Sequence, residues 1–194
     1  MNIMNALRSQ IKKQRRQTSI FQQRQSEQDC LNKLIRFNKF QHANKIGIYL
    51  HAFGEIYTHK IIEYAFQHGK EVYLPKVSPT RQALVWSKIS LHQYRNQRFV
   101  KHRLGMLEPI SARVLHISQL DFLIMPLLAC DYLGTRIGMG GGFYDKTLAR
   151  APHKPYRLGL AHHFQFIQQP LPREKWDQPL DALLTPQQLY VFQR

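Results

Sequence analysis

The sequence predicts an α/β protein in which a mainly parallel sheet, flanked by helices, follows an N-terminal helical segment. Apolar residues recur at steps of three and four over the first forty positions, which indicates helix. Between residues 45 and 75 a strand, a helix and a second strand follow one another, the pattern of a βαβ unit. No repeat or linker divides the chain, so we expect a single domain over residues 1–194, with the helical segment at 1–42 and the α/β core at 43–194.

The helical segment is predicted by the spacing of apolar residues among glutamine, lysine and arginine, which gives each helix one face to bury. These apolar residues are Leu7, Ile11, Cys30, Leu31, Leu34 and Ile35. Cys30 and Cys130 form no metal-ligand spacing, and we expect both to be packed thiols.

The βαβ unit begins with an apolar strand at Lys45–Leu50. Thr58 is expected to cap the following helix and Gly69 to end it, because threonine suits the first position and glycine readily adopts φ > 0 after the last. A second strand is predicted at Glu71–Pro75. A short connection of this kind forces parallel pairing with a right-handed crossover.

The rest of the chain contains further elements and one long connection. We predict strands at Ala83–Ile89, Asp121–Cys130 and Tyr156–Ala161, an irregular basic connection over residues 90–116, and a helix at Tyr144–Arg150. Ligands of such sheets bind outside the carboxyl ends of the strands. Residues that follow the strands are therefore the candidates for a functional site.

A glycine-rich loop, residues 134–146, connects the strand at 121–130 to a helix. Five of the ten glycines lie within nine residues there, and glycine lets successive N–H groups converge on an anion. The loop has neither the G-x-G-x-x-G spacing nor a Gly-Lys-Ser/Thr triplet, so it predicts a phosphate site of another kind. A flexible turn is the alternative; the buried strand before the loop and the fixed register of Arg136, Tyr144 and Asp145 argue against it.

Other residues that follow strands should lie on the same rim. Glu55 stands in an apolar turn, where its carboxylate either caps a helix or binds an amine or ring N–H. His162–His163 lack a third ligand at matching spacing, so we interpret them as surface or capping residues rather than a metal site. Asp177 and Asp181 are either turn carboxylates, or an acid brought back to Asp145 to hold Mg²⁺ against a polyphosphate.

The net charge of +16 is the strongest signal in the composition. Clustered lysine and arginine would indicate nucleic-acid binding, but here the basic residues are spread along the chain without an RNA-binding or zinc pattern. A solvated face or a small polyanionic substrate explains the same charge, and we expect no nucleic-acid partner. No stretch approaches a membrane span and the N-terminus lacks a signal-peptide pattern, so we expect no membrane association and a cytoplasmic location.

The segment Leu133–Leu148 resembles the signature of the 5-formyltetrahydrofolate cyclo-ligase, or methenyltetrahydrofolate synthetase, family. The resemblance covers almost the whole chain: an arginine in the first helix, Tyr-Leu and then Glu-Ile after the first strand, Gly69–Pro75, Glu108-Pro109, and Trp-Asp-x-Pro-Leu-Asp near the end. It implies a fold of the NagB/RpiA/CoA-transferase type. It also implies an enzyme that converts 5-formyltetrahydrofolate and ATP, with Mg²⁺, into 5,10-methenyltetrahydrofolate, ADP and phosphate.

The resemblance also implies roles for individual residues. Asp145 and Asp177 match its Mg²⁺ ligands. Its ATP-contacting positions are matched by Arg8, Arg136, Ile137, Gly138, Met139, Gly140, Gly141, Gly142, Phe143 and Tyr144. Its folate positions are matched by Leu50, Glu55, Met139, Gly140, Gly141, Gly142 and Phe143. Because Arg136 and Asp145 are expected on an exposed glycine-rich rim, we assign them to transition-state stabilisation rather than to the fold.

Three positions depart from the family pattern. Met4 stands where a basic residue is common, so that phosphate contact is missing or supplied by Lys12 or Lys13. Phe143 replaces a common tyrosine, which argues against an essential hydroxyl at that position. Lys146 replaces a frequent arginine.

Two other functions stay open at this point. A basic adaptor that binds RNA would explain the charge but would not need Glu55, Asp145 or Asp177. Another ATP-dependent enzyme on this scaffold would keep the loop and alter the folate rim. For the folate enzyme we expect a monomer whose partners are ATP and reduced folate, with a polyglutamate tail held by the basic region Arg95–Arg103.

Overall fold

The computed structural model describes residues 3–78, 83–103, 105–110 and 113–193. Its α-helices are α1 (Ile3–Gln17), α2 (Ile20–Leu34), α3 (Asn38–Gln41), α4 (His59–Gln67), α5 (Leu91–Arg95) and α6 (Phe143–Leu148). Its strands are β1 (Lys45–Gly47), β2 (Glu71–Val77), β3 (Leu84–Ile89), β4 (Phe99–Lys101), β5 (Leu107–Pro109), β6 (Phe122–Pro126), β7 (Ala129–Asp131), β8 (Arg136–Ile137), β9 (Tyr156–Leu160), β10 (Phe166–Ile167), β11 (Ala182–Leu184) and β12 (Leu189–Val191).

A seven-stranded sheet forms the centre, in the order β12-β11-β9-β6-β1-β2-β3. The pairs from β11 to β2 are parallel, and the two edge strands β12 and β3 pair antiparallel. The predicted α/β class with a mainly parallel sheet is confirmed, and β1, α4 and β2 form the predicted βαβ unit. Two smaller sheets, β10-β7-β8 and β4-β5, lie outside this one.

The sheet is buried on both faces, which explains why its central strands are continuous apolar runs. Along β6, Phe122 and Ile124 belong to one core cluster, and Leu123 and Met125 belong to the other. This alternation follows from the two-residue period of a strand. Both cysteines are free and fully buried, as predicted.

The structure divides two of the predicted elements. The helical segment breaks at residues 18–19, because the Ser19 side chain and Gln22 form a capping box that starts α2. The strand predicted at 121–130 ends at Pro126, which has no N–H to continue a ladder, and β7 then joins a different sheet. No helix among the described ranges is long and apolar enough to cross a bilayer.

Two other predictions need correction in detail. The connection predicted to be irregular over residues 90–116 contains α5 and the hairpin of β4 and β5. Thr58 is the N-cap residue of α4, as predicted, but its hydroxyl donates to the Tyr49 carbonyl at 3.0 Å and forms no capping hydrogen bond. Gly69 follows the end of α4 with φ of 69°, as predicted.

Candidate functional site

A single cavity of about 860 Å³ lies beside the segments that follow β1 and β6. It is lined by α1, the turn after β1, the glycine-rich loop and the tail around residue 177. Every residue that the sequence proposed for the site lines this cavity: Arg8, Leu50, Glu55, Arg136, Ile137, Gly138, Met139, Gly140, Gly141, Gly142, Phe143, Tyr144, Asp145 and Asp177. Residues almost 170 positions apart in sequence therefore share one surface.

One side of the cavity, which we call the loop half, consists of residues 136–145 with Asp177. Gly140 and Gly142 have φ of 102° and 64°, a left-handed conformation that favours glycine. A Cβ at Gly138 or Gly140 would meet no atom within 4 Å, so there is open space against the backbone. The N–H groups of residues 138–142 donate no hydrogen bond to the described part of the chain. They are thus available to an anion in the cavity.

Arg136 and Asp145 form an ion pair in the loop half, with Nη2 and Oδ1 2.7 Å apart. Their side chains are 5% and 19% exposed, so the expectation of an exposed pair is wrong; the exposed members of the loop are Met139, Gly140 and Gly141. Because the arginine lies beneath the loop, the pair also holds the loop's two ends together. Arg8 of α1 donates from Nε to the Gly138 carbonyl at 3.2 Å, which places a second guanidinium at the loop.

Asp145 and Asp177 each use one carboxylate oxygen within the protein. Asp145 Oδ1 accepts from Arg136 and, at 3.0 Å, from the Gln178 N–H. Asp177 Oδ2 accepts from the Glu174 N–H at 2.8 Å. The second oxygen of each carboxylate accepts no hydrogen bond from a described residue.

This donor set fits Mg²⁺ better than zinc. Mg²⁺ is usually held by one or two carboxylates together with substrate phosphates, whereas zinc needs three or four protein ligands. The described ranges contain no group of three or more His, Cys, Asp or Glu residues that could hold a metal. Asp181 is a structural carboxylate rather than a candidate metal ligand, since its Oδ2 accepts from the Arg157 N–H at 2.7 Å.

The opposite side of the cavity, which we call the Glu55 half, consists of residues 49–55 with Arg15. Glu55 is 9% exposed; its Oε2 accepts from the Ala52 N–H at 3.0 Å, and its Oε1 lies 3.7 Å from Arg15 Nη1. Burial raises the pKa of Glu55 to about 7, because the charged form loses water, and the Arg15 cation and the Ala52 N–H offset only part of that. Near neutral pH this carboxyl group is therefore close to half-ionised.

Arg15 was missed by the sequence analysis. Its side chain is 2% exposed, it donates from Nη2 to the Leu127 carbonyl, and burial lowers its pKa. Arg8, Ile11 and Arg15 follow one another at steps of three and four, so they lie on one face of α1. This spacing could have identified Arg15, but the prediction of the buried helical face used apolar residues only.

The turn before Glu55 is held by contacts from distant elements. Gln23 Nε2 on α2 and His162 Nε2 both lie 3.1 Å from the Gly54 carbonyl. A Cβ at Gly54 would lie 2.7 Å from the Arg15 carbonyl, so glycine is required for α1 to pack against this turn. His162 is 4% exposed, so it is not a surface residue, but it does occupy a capping position: it directly precedes the 3₁₀ turn His163–Gln165, and its N–H donates to Gln165 Oε1 at 2.9 Å.

Met4 and Phe143, two of the positions that depart from the family pattern, both line the cavity. Lys12 and Lys13, by contrast, are not among the residues that line it. The Phe143 ring is half-buried and packs against the core, and a Cβ at Gly141 would lie 2.9 Å from it. Phe143 therefore supports the loop from below by apolar packing.

Comparison with known proteins adds independent evidence. The profile of the 5-formyltetrahydrofolate cyclo-ligase family matches residues 1–186. The 5-formyltetrahydrofolate cyclo-ligase of Escherichia coli (strain K12) is 36% identical over 185 residues, covering 94% of this chain and 100% of that protein. The enzyme of the same name from Haemophilus influenzae is 35% identical over 182 residues, covering 92% and 95%.

Two solved structures share the fold. The NMR structure of Aquifex aeolicus 5,10-methenyltetrahydrofolate synthetase superposes with a TM-score of 0.84 at 25% identity, covering 99% of this chain and 94% of that one. A 5,10-methenyltetrahydrofolate synthetase from Mycoplasma pneumoniae superposes with a TM-score of 0.74 at 20% identity, covering 96% and 99%, and supports the fold alone.

Proposed function

The chain belongs to the 5-formyltetrahydrofolate cyclo-ligase family, and from that premise we propose that it converts 5-formyltetrahydrofolate and ATP, with Mg²⁺, into 5,10-methenyltetrahydrofolate, ADP and phosphate. We further propose that it works as a cytoplasmic monomer. The observation that carries the proposal is that all residues matched to ATP, folate and Mg²⁺ line one cavity. A basic RNA adaptor would have no need to gather these carboxylates in a cleft.

In this proposal the loop half binds the triphosphate of ATP. The N–H groups of residues 138–142 point to no partner within the described chain, and phosphate oxygens would accept from them. Arg136 Nε is also buried without a partner among the described residues, so it can donate to a phosphate while Nη2 stays bonded to Asp145. Two guanidinium groups, from Arg8 and Arg136, supply positive charge to the same place.

The residues that would hold Mg²⁺ are Asp145 and Asp177, each through the oxygen that the protein leaves open. When bound, the ion neutralises negative charge on the phosphoryl groups. Asp145 would thereby contact the ion and the catalytic arginine at once, which fixes one relative to the other.

The Glu55 half binds the folate ring. Ionised Glu55 accepts hydrogen bonds from ring N–H groups, and Leu50 provides an apolar contact beside it. The formyl oxygen then attacks the γ-phosphorus of ATP and ADP leaves. N10 of the folate bonds to the activated carbon and loses its proton to solvent, and the C–O bond breaks so that the formyl oxygen departs with phosphate. Such a transfer needs positioning and charge neutralisation more than a strong base, which suits a site built from arginine and backbone N–H groups.

The experiment that tests this function is a turnover assay. The protein is incubated with ATP, Mg²⁺ and 5-formyltetrahydrofolate, and the absorbance of the methenyl product is followed. We expect a rise that disappears when either ATP or Mg²⁺ is omitted. Absence of product with both the monoglutamyl and the polyglutamyl substrate would refute the proposed function.

A further inference from the structure

Tyr49 is a buried polar residue of the cavity that no role above explains. It lies between β1 and Leu50, is 4% exposed, packs in the core cluster that includes Cys30 and Ile61, and is one of the residues that line the cavity. Its backbone is fixed, because its carbonyl accepts the Thr58 hydroxyl at 3.0 Å. The position of the ring is therefore set by the strand and by the start of α4.

The hydroxyl group of Tyr49 has no hydrogen-bond partner within the described part of the chain. Three arginines and one glutamine also have one unpartnered buried atom, but each of them bonds through another atom. His163 Nδ1 is unpartnered as well, but His163 does not line the cavity. Tyr49 and Trp86 instead have a single polar side-chain atom, and that atom is the unpartnered one. Of these two residues, only Tyr49 lines the cavity.

A buried hydroxyl without a partner lowers the stability of the folded protein, because it has lost its hydrogen bonds to water. Phenylalanine would fill the same volume without this cost, and the chain uses phenylalanine at 11 positions. The packing of the free protein therefore gives no reason for the oxygen. A ligand that occupies the cavity does give one.

The surroundings of the hydroxyl indicate the kind of ligand. Burial raises the pKa of Tyr49 above its usual value, and the nearby charge of Glu55 raises it further, while that of Arg15 opposes this. Tyr49 thus keeps its proton and offers one donor and one acceptor, whereas ionised Glu55 offers acceptors only. Together they suit the edge of a heteroaromatic ring that carries both N–H groups and a carbonyl or ring nitrogen.

We propose that the Tyr49 hydroxyl is a specificity-determining contact that hydrogen-bonds the polar edge of the folate ring beside Glu55. This inference rests on the proposed function and adds a residue to its folate side. It predicts that the Tyr49 hydroxyl lowers the stability of the free protein and raises its affinity for folate, because the hydroxyl gains a hydrogen-bond partner only when folate binds.

The test is the Tyr49→Phe variant, measured for both stability and binding. Its melting temperature without ligand should be unchanged or higher by about 2 °C, since an unsatisfied hydroxyl is removed. Its KM for 5-formyltetrahydrofolate should rise about tenfold, and the stabilisation of the protein by folate alone should shrink accordingly. Its KM for ATP should stay within twofold of the wild type.

Tyr94→Phe is the matched control. Tyr94 is also buried, at 9% exposure, but its hydroxyl lies 2.6 Å from His59 Nδ1 and its side chain does not line the cavity. Removing this partnered hydroxyl should lower the melting temperature and leave both KM values unchanged. Only Tyr94→Phe is thus expected to lower the melting temperature, and only Tyr49→Phe is expected to weaken folate binding.

The wild-type assay separates the possible failures. If the wild type forms product and Tyr49→Phe binds folate normally, the inference is overturned while the proposed function stands. If Tyr49→Phe loses stability and both KM values rise together, the hydroxyl is structural and the inference is again overturned. If the wild type forms no product, the proposed function and the inference fall together.

Discussion

The loop half and the Glu55 half of the cavity are built in different ways. Apart from Asp177, the loop half is contiguous in sequence: Arg136 and Asp145 are nine residues apart and form their ion pair across the glycines between them. The Glu55 half is assembled from distant segments, since Arg15 comes from α1 and the Gly54 carbonyl is contacted from α2 and from His162. In the proposed function, one half binds its ligand mainly through backbone N–H groups, and the other does so through a buried side-chain charge.

This difference explains what a single sequence can reveal. Five glycines within nine residues indicate a phosphate site whatever the remaining chain does. The properties of Glu55 depend on its burial and on an arginine 40 positions away, and neither is visible locally. The two halves should consequently respond differently to mutation, pH and salt.

The largest effect is expected in the loop half, from Asp145→Asn. The amide oxygen can still accept from Arg136 and the Gln178 N–H, so the variant should remain folded. Loss of the charge should lower kcat by about 10²–10³-fold, measured in the turnover assay, with the melting temperature nearly unchanged.

The Arg136→Ala variant should lose a similar amount of activity and should also lose stability, because it leaves a largely buried carboxylate without its cation.

Asp121→Asn is the control for Asp145→Asn. Asp121 Oδ2 accepts from the N–H groups of Asn44 and Lys45, before the start of β1 and away from the cavity. Because its amide oxygen can likewise accept from both N–H groups, that variant should stay folded and keep kcat. If Asp145→Asn unfolded while Asp121→Asn stayed folded, a structural role for Asp145 would be the better explanation.

A second prediction uses the two arginines of α1 that reach opposite halves. Arg8→Met should raise the ATP KM about tenfold, and Arg15→Met should raise the folate KM by a similar factor, since each removes a charged contact. Arg16→Met, an exposed neighbour on the same helix, should change neither value. Equal changes of both KM values in both variants would mean that α1 supports the cavity as a whole.

The pH dependence of folate binding is the third prediction. In the proposed role ionised Glu55 is the acceptor, and its pKa of about 7 means that raising the pH from 6 to 8 ionises it. The folate dissociation constant should therefore fall by about tenfold over that range. Burial lowers the pKa of His51 and of His162 to about 4, so neither titrates there.

Glu55→Gln is the control for the pH profile, because it keeps the shape and cannot ionise. Its folate affinity should be flat from pH 6 to 8, and the ATP affinity of the wild type should be nearly so. A wild-type profile that is flat, or one that Glu55→Gln reproduces, would remove Glu55 from this role.

The smallest effect is expected at the basic hairpin. Arg98, Lys101 and Arg103 are exposed on or beside β4, whose partner β5 includes Leu107 at the cavity edge. Exposed ion pairs contribute only about 0.2–1 kcal/mol each and are screened by salt. Polyglutamyl substrate should therefore show a KM a few-fold below that of monoglutamyl substrate at low salt, and the gap should close as salt rises.

Replacing these three residues by glutamine should abolish the gap at low salt. The matched control replaces three exposed basic residues of α1 and α2, Lys13, Arg16 and Arg24. If that control abolished the gap equally, net charge rather than a local path would be responsible.

The sequence predicted the sheet, the βαβ unit and the loop because their signals are local. It predicted Glu55 only as a candidate, because the same residue could have been a helix cap. It missed Arg15 and the burial of His162, since charged and polar residues are mostly exposed and only tertiary packing buries these two. It also merged β6 with β7, because an apolar run does not indicate where a chain leaves one sheet for another.

The most direct test of the division between the two halves is to bind each substrate separately to Glu55→Gln. Dissociation constants are measured at pH 8 for 5-formyltetrahydrofolate alone and for a non-hydrolysable ATP analogue with Mg²⁺. We predict that the folate constant rises by about 5- to 150-fold, as expected for a mispaired buried polar contact, while the nucleotide constant stays within twofold. An equal rise for both ligands, or no rise for folate, would contradict the assignment of the Glu55 half to folate.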